Sequence, residues 1–296
     1  MLQVRDDRGR AVIFGRPPQR IVSLVPSDTY TIAKLAGVER LVGRTKYCEE
    51  PRGEIERVPI VGGTKDASVE AILDCKPDLV IANQEENTRA TLEAIAQSGV
   101  PIYVVFPKRV DEGVALVARF ARILGVQREP RAIELVRACH RALQEAIAWR
   151  GTIAPVRCFC PIWAEPLMTI HGDTFMSDAL DLAGAQNVFA DRARRYPLAA
   201  DLGKATPLPK EKIGERDTRY PRVTLEEVIA RAPEIVLLPD EPHPFSKDDA
   251  KRFEALDIPA AHAHKIVQMP GKDVCWYGAW SAEGIARLRA TVQALR

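Results

Sequence analysis

A gapless match repeated 156 positions later constrains this chain more than any other feature. Ser68-Val-Glu-Ala-Ile-Leu-Asp-Cys-Lys-Pro-Asp-Leu-Val-Ile-Ala82 aligns with Thr224-Leu-Glu-Glu-Val-Ile-Ala-Arg-Ala-Pro-Glu-Ile-Val-Leu-Leu238. In each copy a hydroxyl residue is placed to cap a short helix, Pro77 or Pro233 stops the helix, and an apolar β-rich run follows. Two αβ units at so long a spacing argue against a solenoid and for two similar lobes. A second pairing has the same order. Asp28-Thr29-Tyr30 precedes a helical run ending at Ala36-Gly37, and Asp173-Thr174-Phe175 precedes one ending at Ala183-Gly184. Apolar runs, Ile21–Val25 and Val156–Ile162, come before both.

The order of elements extends this reading. In the first lobe, residues 1–110, strands are predicted at Ile21–Val25, Leu41–Gly43, Leu79–Ala82 and Ile102–Phe106, with helices at Thr29–Ala36, Val69–Cys75 and Thr88–Ser98. Alternation with short loops predicts a parallel sheet covered on both faces. The second lobe, 151–296, carries strands Val156–Ile162, Ile235–Leu238 and Ile266–Met269 and helices Phe175–Ala183, Leu225–Ala232 and Ala282–Leu295. Segment 111–150 is helical, with a first run at Val110–Leu124. A second, Pro130 to Arg150, is uninterrupted by Gly or Pro and about 30 Å long, which suits a stiff strut. Around 198–218, between Arg195-Tyr-Pro197 and Arg219-Tyr-Pro221, periodicity disappears. A solvated insertion is expected there, with a lid as the alternative.

Composition excludes several classes. With 42 Lys and Arg against 40 Asp and Glu, the net charge of +2 gives no reason to expect nucleic acid. No apolar stretch is long enough to span a membrane. The charged N-terminus does not read as a signal peptide. Six cysteines without framework spacing are expected to be reduced; Cys158 and Cys160 share a strand face and are read as buried packing. There is no Gly-x-Ser-x-Gly elbow, P-loop, dinucleotide fingerprint or His-Glu-x-x-His, so an enzyme is not expected and no catalytic cofactor is called for.

Several segments together resemble a known family. They are Arg20-Ile-Val-Ser-Leu-Val-Pro-Ser27, Val58-Pro-Ile-Val-Gly-Gly-Thr-Lys65 with the unit after it, Phe175-Met-Ser-Asp-Ala-Leu-Asp-Leu-Ala-Gly184 with Asn187-Val-Phe189, and Trp276-Tyr-Gly278. In order and spacing the chain, apart from 198–218, resembles the metal-chelate substrate-binding proteins of ABC importers, which take cobalamin, haem or ferric siderophores. The cobalamin-binding branch looks nearest. The resemblance implies an α/β fold of two Rossmann-like lobes with central parallel sheets, a long rigid backbone helix and a ligand cleft between lobes. It implies a monomeric, extracytoplasmic protein that delivers a corrinoid or other metal chelate to a permease. A cytoplasmic corrinoid- or metal-handling protein, or a cofactor-using enzyme on the same fold, is the alternative.

Ligands of open α/β sheets lie beyond the carboxyl ends of the strands. That rule, with the resemblance, nominates Ser27, Tyr47 and Lys65 in the first lobe. In the second it nominates Trp163, Met168, His171, Asp173, Trp276, Tyr277 and Trp280. Flat rings suit a macrocycle, and Lys65 suits a ligand carboxylate or phosphate; core packing and a solvated lysine are the competing roles. His171 is a candidate ligand for the chelate's metal. Glu70 and Glu226 hold the same position in the repeated helices. Helix polarity alone accounts for a carboxylate there. The resemblance gives such a pair a docking role against permease arginines.

Overall fold

The computed structural model of the protein describes residues 1–296. Two compact units divide the chain: Met1–Leu143 with Trp276–Ala282, and Gln144–Cys275 with Glu283–Arg296. The sequence grouping put 276–282 with the second lobe, whereas these residues pack within the first unit.

The first unit opens with an antiparallel hairpin, β1 (Leu2–Arg5) and β2 (Ala11–Phe14), which the sequence reading left unassigned. A four-stranded parallel sheet follows, built from β3 (Ile21–Ser23), β4 (Leu41–Arg44), β5 (Leu79–Asn83) and β6 (Ile102–Val105) in the order β4-β3-β5-β6. Its helices are α1 (Pro26–Ala36), α2 (Val69–Asp74), α3 (Arg89–Gln97) and α4 (Val110–Ile123). Every residue of β5 is buried, as expected of a parallel strand covered on both faces. Val22, Val80 and Val104 form a core with Ile72, Leu92 and Ile95 from the helices. Helix α5 (Pro130–Arg150) has the bounds expected from sequence, and the division between units falls within it.

The second unit repeats this plan. Strands β7 (Val156–Phe159), β10 (Ala185–Asn187), β11 (Ile235–Pro239) and β12 (Ile266–Met269) form a parallel sheet ordered β10-β7-β11-β12. In both sheets the first strand lies between the second and the third, so the two share one topology. The expected strand Val156–Ile162 is divided. After β7 the chain turns out into an antiparallel hairpin, β8 (Pro161–Ala164) and β9 (Leu167–Thr169). Helices α6 (Phe175–Leu182), α7 (Leu198–Asp201), α8 (Lys210–Ile213), α9 (Leu225–Arg231), α10 (Lys247–Glu254), α11 (Pro259–His262), α12 (Lys272–Cys275) and α13 (Ser281–Ala294) complete the chain. Phe159 packs on Phe189 at 5.3 Å and Phe253 at 5.8 Å between ring centroids, at the centre of this core. No helix is long and apolar enough to cross a membrane.

The duplication reaches individual hydrogen bonds. Ser68 and Thr224 cap α2 and α9, accepting from the amides of Ala71 and Glu227, and Thr224 with Glu227 completes a capping box. Each helix ends on an aligned non-glycine residue in the left-handed region, Lys76 at φ 46° and Ala232 at φ 44°. Arg20 donates from Nε to the Lys76 carbonyl and from Nη2 to the Cys75 carbonyl. Arg157 makes the same two bonds, to Ala232 and Arg231. The aligned carboxylates Asp78 and Glu234 then accept the backbone amides of Arg20 and Arg157. One arginine thus fastens the end of the repeated helix to the start of the first strand in both units.

The second pairing is looser. Thr174 is the N-cap of α6, but α1 begins at Pro26, so Thr29 lies inside its first turn. The exits do agree: Gly37 and Gly184 both follow their helices at positive φ.

Candidate functional site

The strand order sets where each sheet can accept a ligand. The order in which strands are added reverses between β3 and β5, and between β7 and β11, and the crevice beyond the carboxyl ends opens at such a switch point.

At the first switch point the loops after β3 and β5 are joined by side-chain amides. The Asn87 Nδ2 group donates to the carbonyls of Leu24 and Thr64, and the Asn83 amide donates to Asn87 Oδ1. Asn83 Nδ2 donates to the Tyr277 hydroxyl at 2.9 Å, and that hydroxyl donates to Asp28 Oδ2 at 3.1 Å. Burial pushes the Asp28 carboxyl well above the ordinary carboxylate range, and the hydrogen bond from Tyr277 opposes this only in part. Its other oxygen is buried without a partner. Tyr277 is held in place by its neighbour: Gly278, at φ 76°, sits so close to Thr31 that a Cβ would lie 2.4 Å from Thr31 Oγ1. That hydroxyl donates to the Ser27 carbonyl and accepts the amide of Ala279.

This geometry gives the nominated residues different roles. Ser27 and Tyr277 are buried in the network, and Trp276 is buried between Tyr30 and Trp280, at 6.3 and 5.1 Å. Trp280 is half-buried, edge-on to Tyr30 at 5.1 Å. Tyr47 stands out, 53% exposed, with the Lys46 ammonium over its ring. Lys65 is exposed too, but its ammonium donates to the Glu85 carbonyl at 2.5 Å and lies 4.0 Å from Glu86.

At the second switch point the β8–β9 hairpin presents Trp163, 43% exposed, against His243 from the loop after β11, with ring centroids 5.2 Å apart. His243 stacks edge-on to buried Phe245 at 4.7 Å, which continues the aromatic surface into the core. His243 was not among the residues nominated from sequence, although it follows the carboxyl end of β11. Met168 is half-buried on β9 and bridges to Arg222. Asp173 is exposed, and its amide donates to Nδ1 of half-buried His171 at 3.0 Å. With Nδ1 accepting, the ring proton sits on Nε2, so neither nitrogen offers a free lone pair in this arrangement. No group of three or more His, Cys, Asp or Glu is arranged to hold a metal ion. Cys158 and Cys160 are fully buried.

The 198–218 insertion is anchored where a solvated loop was expected. Asp201 Oδ1 accepts from Arg192 Nη1 at 3.0 Å and from the Arg195 amide at 2.8 Å, and Oδ2 accepts the Arg222 amide at 2.7 Å. Arg192 also donates from Nε to Glu227 at 3.0 Å, tying the insertion to the capping box of α9. Glu70 and Glu226 are both exposed in the first turns of α2 and α9. The Thr224 hydroxyl holds the Glu226 carboxyl below its ordinary range.

Comparisons with known proteins agree with this architecture. The chain is 27% identical to the vitamin B12-binding protein of Yersinia pestis (strain Pestoides F) over 224 residues, 74% of this chain and 69% of that one. Its fold matches the periplasmic vitamin B12 binding protein BtuF of Vibrio cholerae with a TM-score of 0.75 at 19% identity, covering 94% of this chain and 98% of that one. The periplasmic haem-binding protein RhuT of Roseiflexus sp. RS-1 matches with a TM-score of 0.74 at 20% identity, over 94% and 98% of the two chains. Residues 21–272, which include the whole of both repeated sheets, match the family model described as periplasmic binding protein, and the chain belongs to that family.

Proposed function

We propose that this protein binds a metal chelate of the corrinoid class and delivers it to an ABC importer outside the cytoplasm. The observation that carries the reading is the exposed aromatic surface at the second switch point, Trp163 against His243 with Phe245 behind. A broad apolar ring system gains most from such a surface, where burial contributes roughly 25 cal/mol per Å². The vitamin B12-binding relative supports the corrinoid class, and the haem-binding fold neighbour supports chelates more widely. Exposed Tyr47 supplies a similar face in the first unit, while Ser27, Trp276 and Tyr277 act from beneath, holding the loops.

Glu70 and Glu226 are assigned to docking on the permease, because the same acidic position is exposed on both copies of the repeat. The chelate reading is tested by titrating the protein with cyanocobalamin, haemin and a ferric siderophore, followed by tryptophan fluorescence and calorimetry. A dissociation constant below about 10 μM, roughly −7 kcal/mol, is expected for one of them. Trp163→Ala should weaken that binding at least about tenfold, and equal binding by the variant would remove Trp163 from the site.

A further inference from the structure

Beside Met168 and His171, the segments flanking the insertion gather positive charge that the fold itself does not neutralise. Arg222 bridges to Met168 on β9, and the His171 amide donates to the Arg219 carbonyl at 2.8 Å. Arg192 and Arg219 nearby are matched, Arg192 by Asp201 and Glu227, and Arg219 by Asp217 at 2.6 Å. Arg194 and Arg222 are not. Nε of Arg194 and both Nε and Nη1 of Arg222 are buried and lack any hydrogen-bond partner. Buried donors are ordinarily paired, and leaving them unmet is costly, more so when they are charged.

The two guanidinium groups also disfavour each other. Desolvation, and then the charge of Arg194, pull the Arg222 guanidinium below its ordinary range. Arg194 lies over the Tyr196 ring, 5.0 Å from its centroid, and Arg216 lies 5.6 Å from the same ring. The carboxylates facing the pair are already engaged. Asp201 accepts from Arg192 and two backbone amides, and Asp217 accepts from the Arg219 amide and side chain.

We propose that Arg194 and Arg222 form an oxyanion-binding site that takes a carboxylate or phosphate group. A planar guanidinium with unmet N–H donors recognises such groups through paired, charge-assisted hydrogen bonds. The group is either a free phosphate or an anionic substituent of the bound chelate. In the second case the inference deepens the chelate-binding reading and rests on it; in the first it stands apart.

Two titrations separate these sources. Inorganic phosphate is titrated into wild type, Arg194→Gln and Arg222→Gln in a buffer free of other oxyanions, read by calorimetry and thermal shift. Haemin and its dimethyl ester are then compared on the same proteins. A free-anion site predicts phosphate binding that weakens at least about tenfold in either variant. A chelate-substituent site predicts that wild type prefers haemin to its ester at least about tenfold, and that the preference disappears in both variants. Arg222→Gln should fold without anion as well as wild type or better, because it relieves the repulsion from Arg194. Should that variant fail to fold, Arg222→Lys, which keeps the charge but loses the fork, is expected to weaken binding in its place. Absence of both phosphate binding and ester discrimination in wild type overturns the proposal, as does equal behaviour of the folded variants.

Discussion

Replacing Asp201 by Ala tests whether the insertion is a structural part of the second unit. The wild-type carboxylate is fully buried, its arginine partner is 4% exposed, and one charged and two backbone donors converge on it. Removing one member of a buried pair leaves the other as an uncompensated charge, at a cost of about 3–5 kcal/mol. Two orphaned amides push the loss toward the upper end, while Glu227, which still pairs with Arg192, pulls it back. With a urea m-value of about 2–3 kcal/mol/M, the midpoint should fall by about 1–2.5 M. Asp201→Asn keeps the shape and one acceptor and should lose less. Urea unfolding followed by circular dichroism gives the shift, and limited proteolysis shows whether 203–216 becomes cleavable first. A midpoint change below about 0.5 M, with no new cleavage, would refute the anchor.

Three further outcomes are expected. The unfolded chain releases the Asp28 proton near pH 3.9, whereas burial makes the folded protein keep it to higher pH. This contribution is therefore full below about pH 4 and declines as pH rises toward the folded value, by up to about 1.4 kcal/mol per pH unit. Asp28→Asn should flatten that slope in urea midpoints measured from pH 5 to 8; parallel profiles would count against it. Ala232→Gly should leave stability unchanged or raise it by up to about 1 kcal/mol, because φ of 44° suits glycine. Ala230→Gly, inside α9, should cost about 1 kcal/mol, so equal losses at both sites would contradict the left-handed assignment. Glu70→Lys with Glu226→Lys should abolish binding to the permease in a pull-down while chelate affinity stays the same; retained association would end the docking role.

Most of the architecture was legible because it rests on local chemistry. Capping hydroxyls, the prolines after the repeated helices and the apolar runs of β5 and β11 fix the αβ units within a residue or two. Partners distant in sequence were not legible. Nothing local to Arg20 or Arg157 reveals that each closes a helix more than fifty residues away. Cys160-Pro161 sits inside an apolar run, so the turn from β7 into the β8–β9 hairpin was invisible to periodicity. The insertion looked solvated because its anchor is a single buried aspartate whose partners come from the two segments that flank it.

The candidate site was read less well, for a related reason. Position after a strand marks a residue as near a ligand crevice, but it does not separate the side chain that faces outward from the one that holds the loop. Trp163 and Tyr47 are exposed, whereas Tyr277 and Ser27 are buried in the Asp28 network. The signal for that burial was present in Gly278, which permits the close approach to Thr31, but its meaning depends on a contact across some 250 residues.

Calorimetric titration of the protein with cyanocobalamin, beside haemin and a ferric siderophore, tests the central claim most directly. One of these chelates should bind with a dissociation constant below about 10 μM and quench tryptophan fluorescence, with Trp163→Ala showing the larger part of the loss. Failure of all three to bind folded protein at that level would contradict the chelate-binding function.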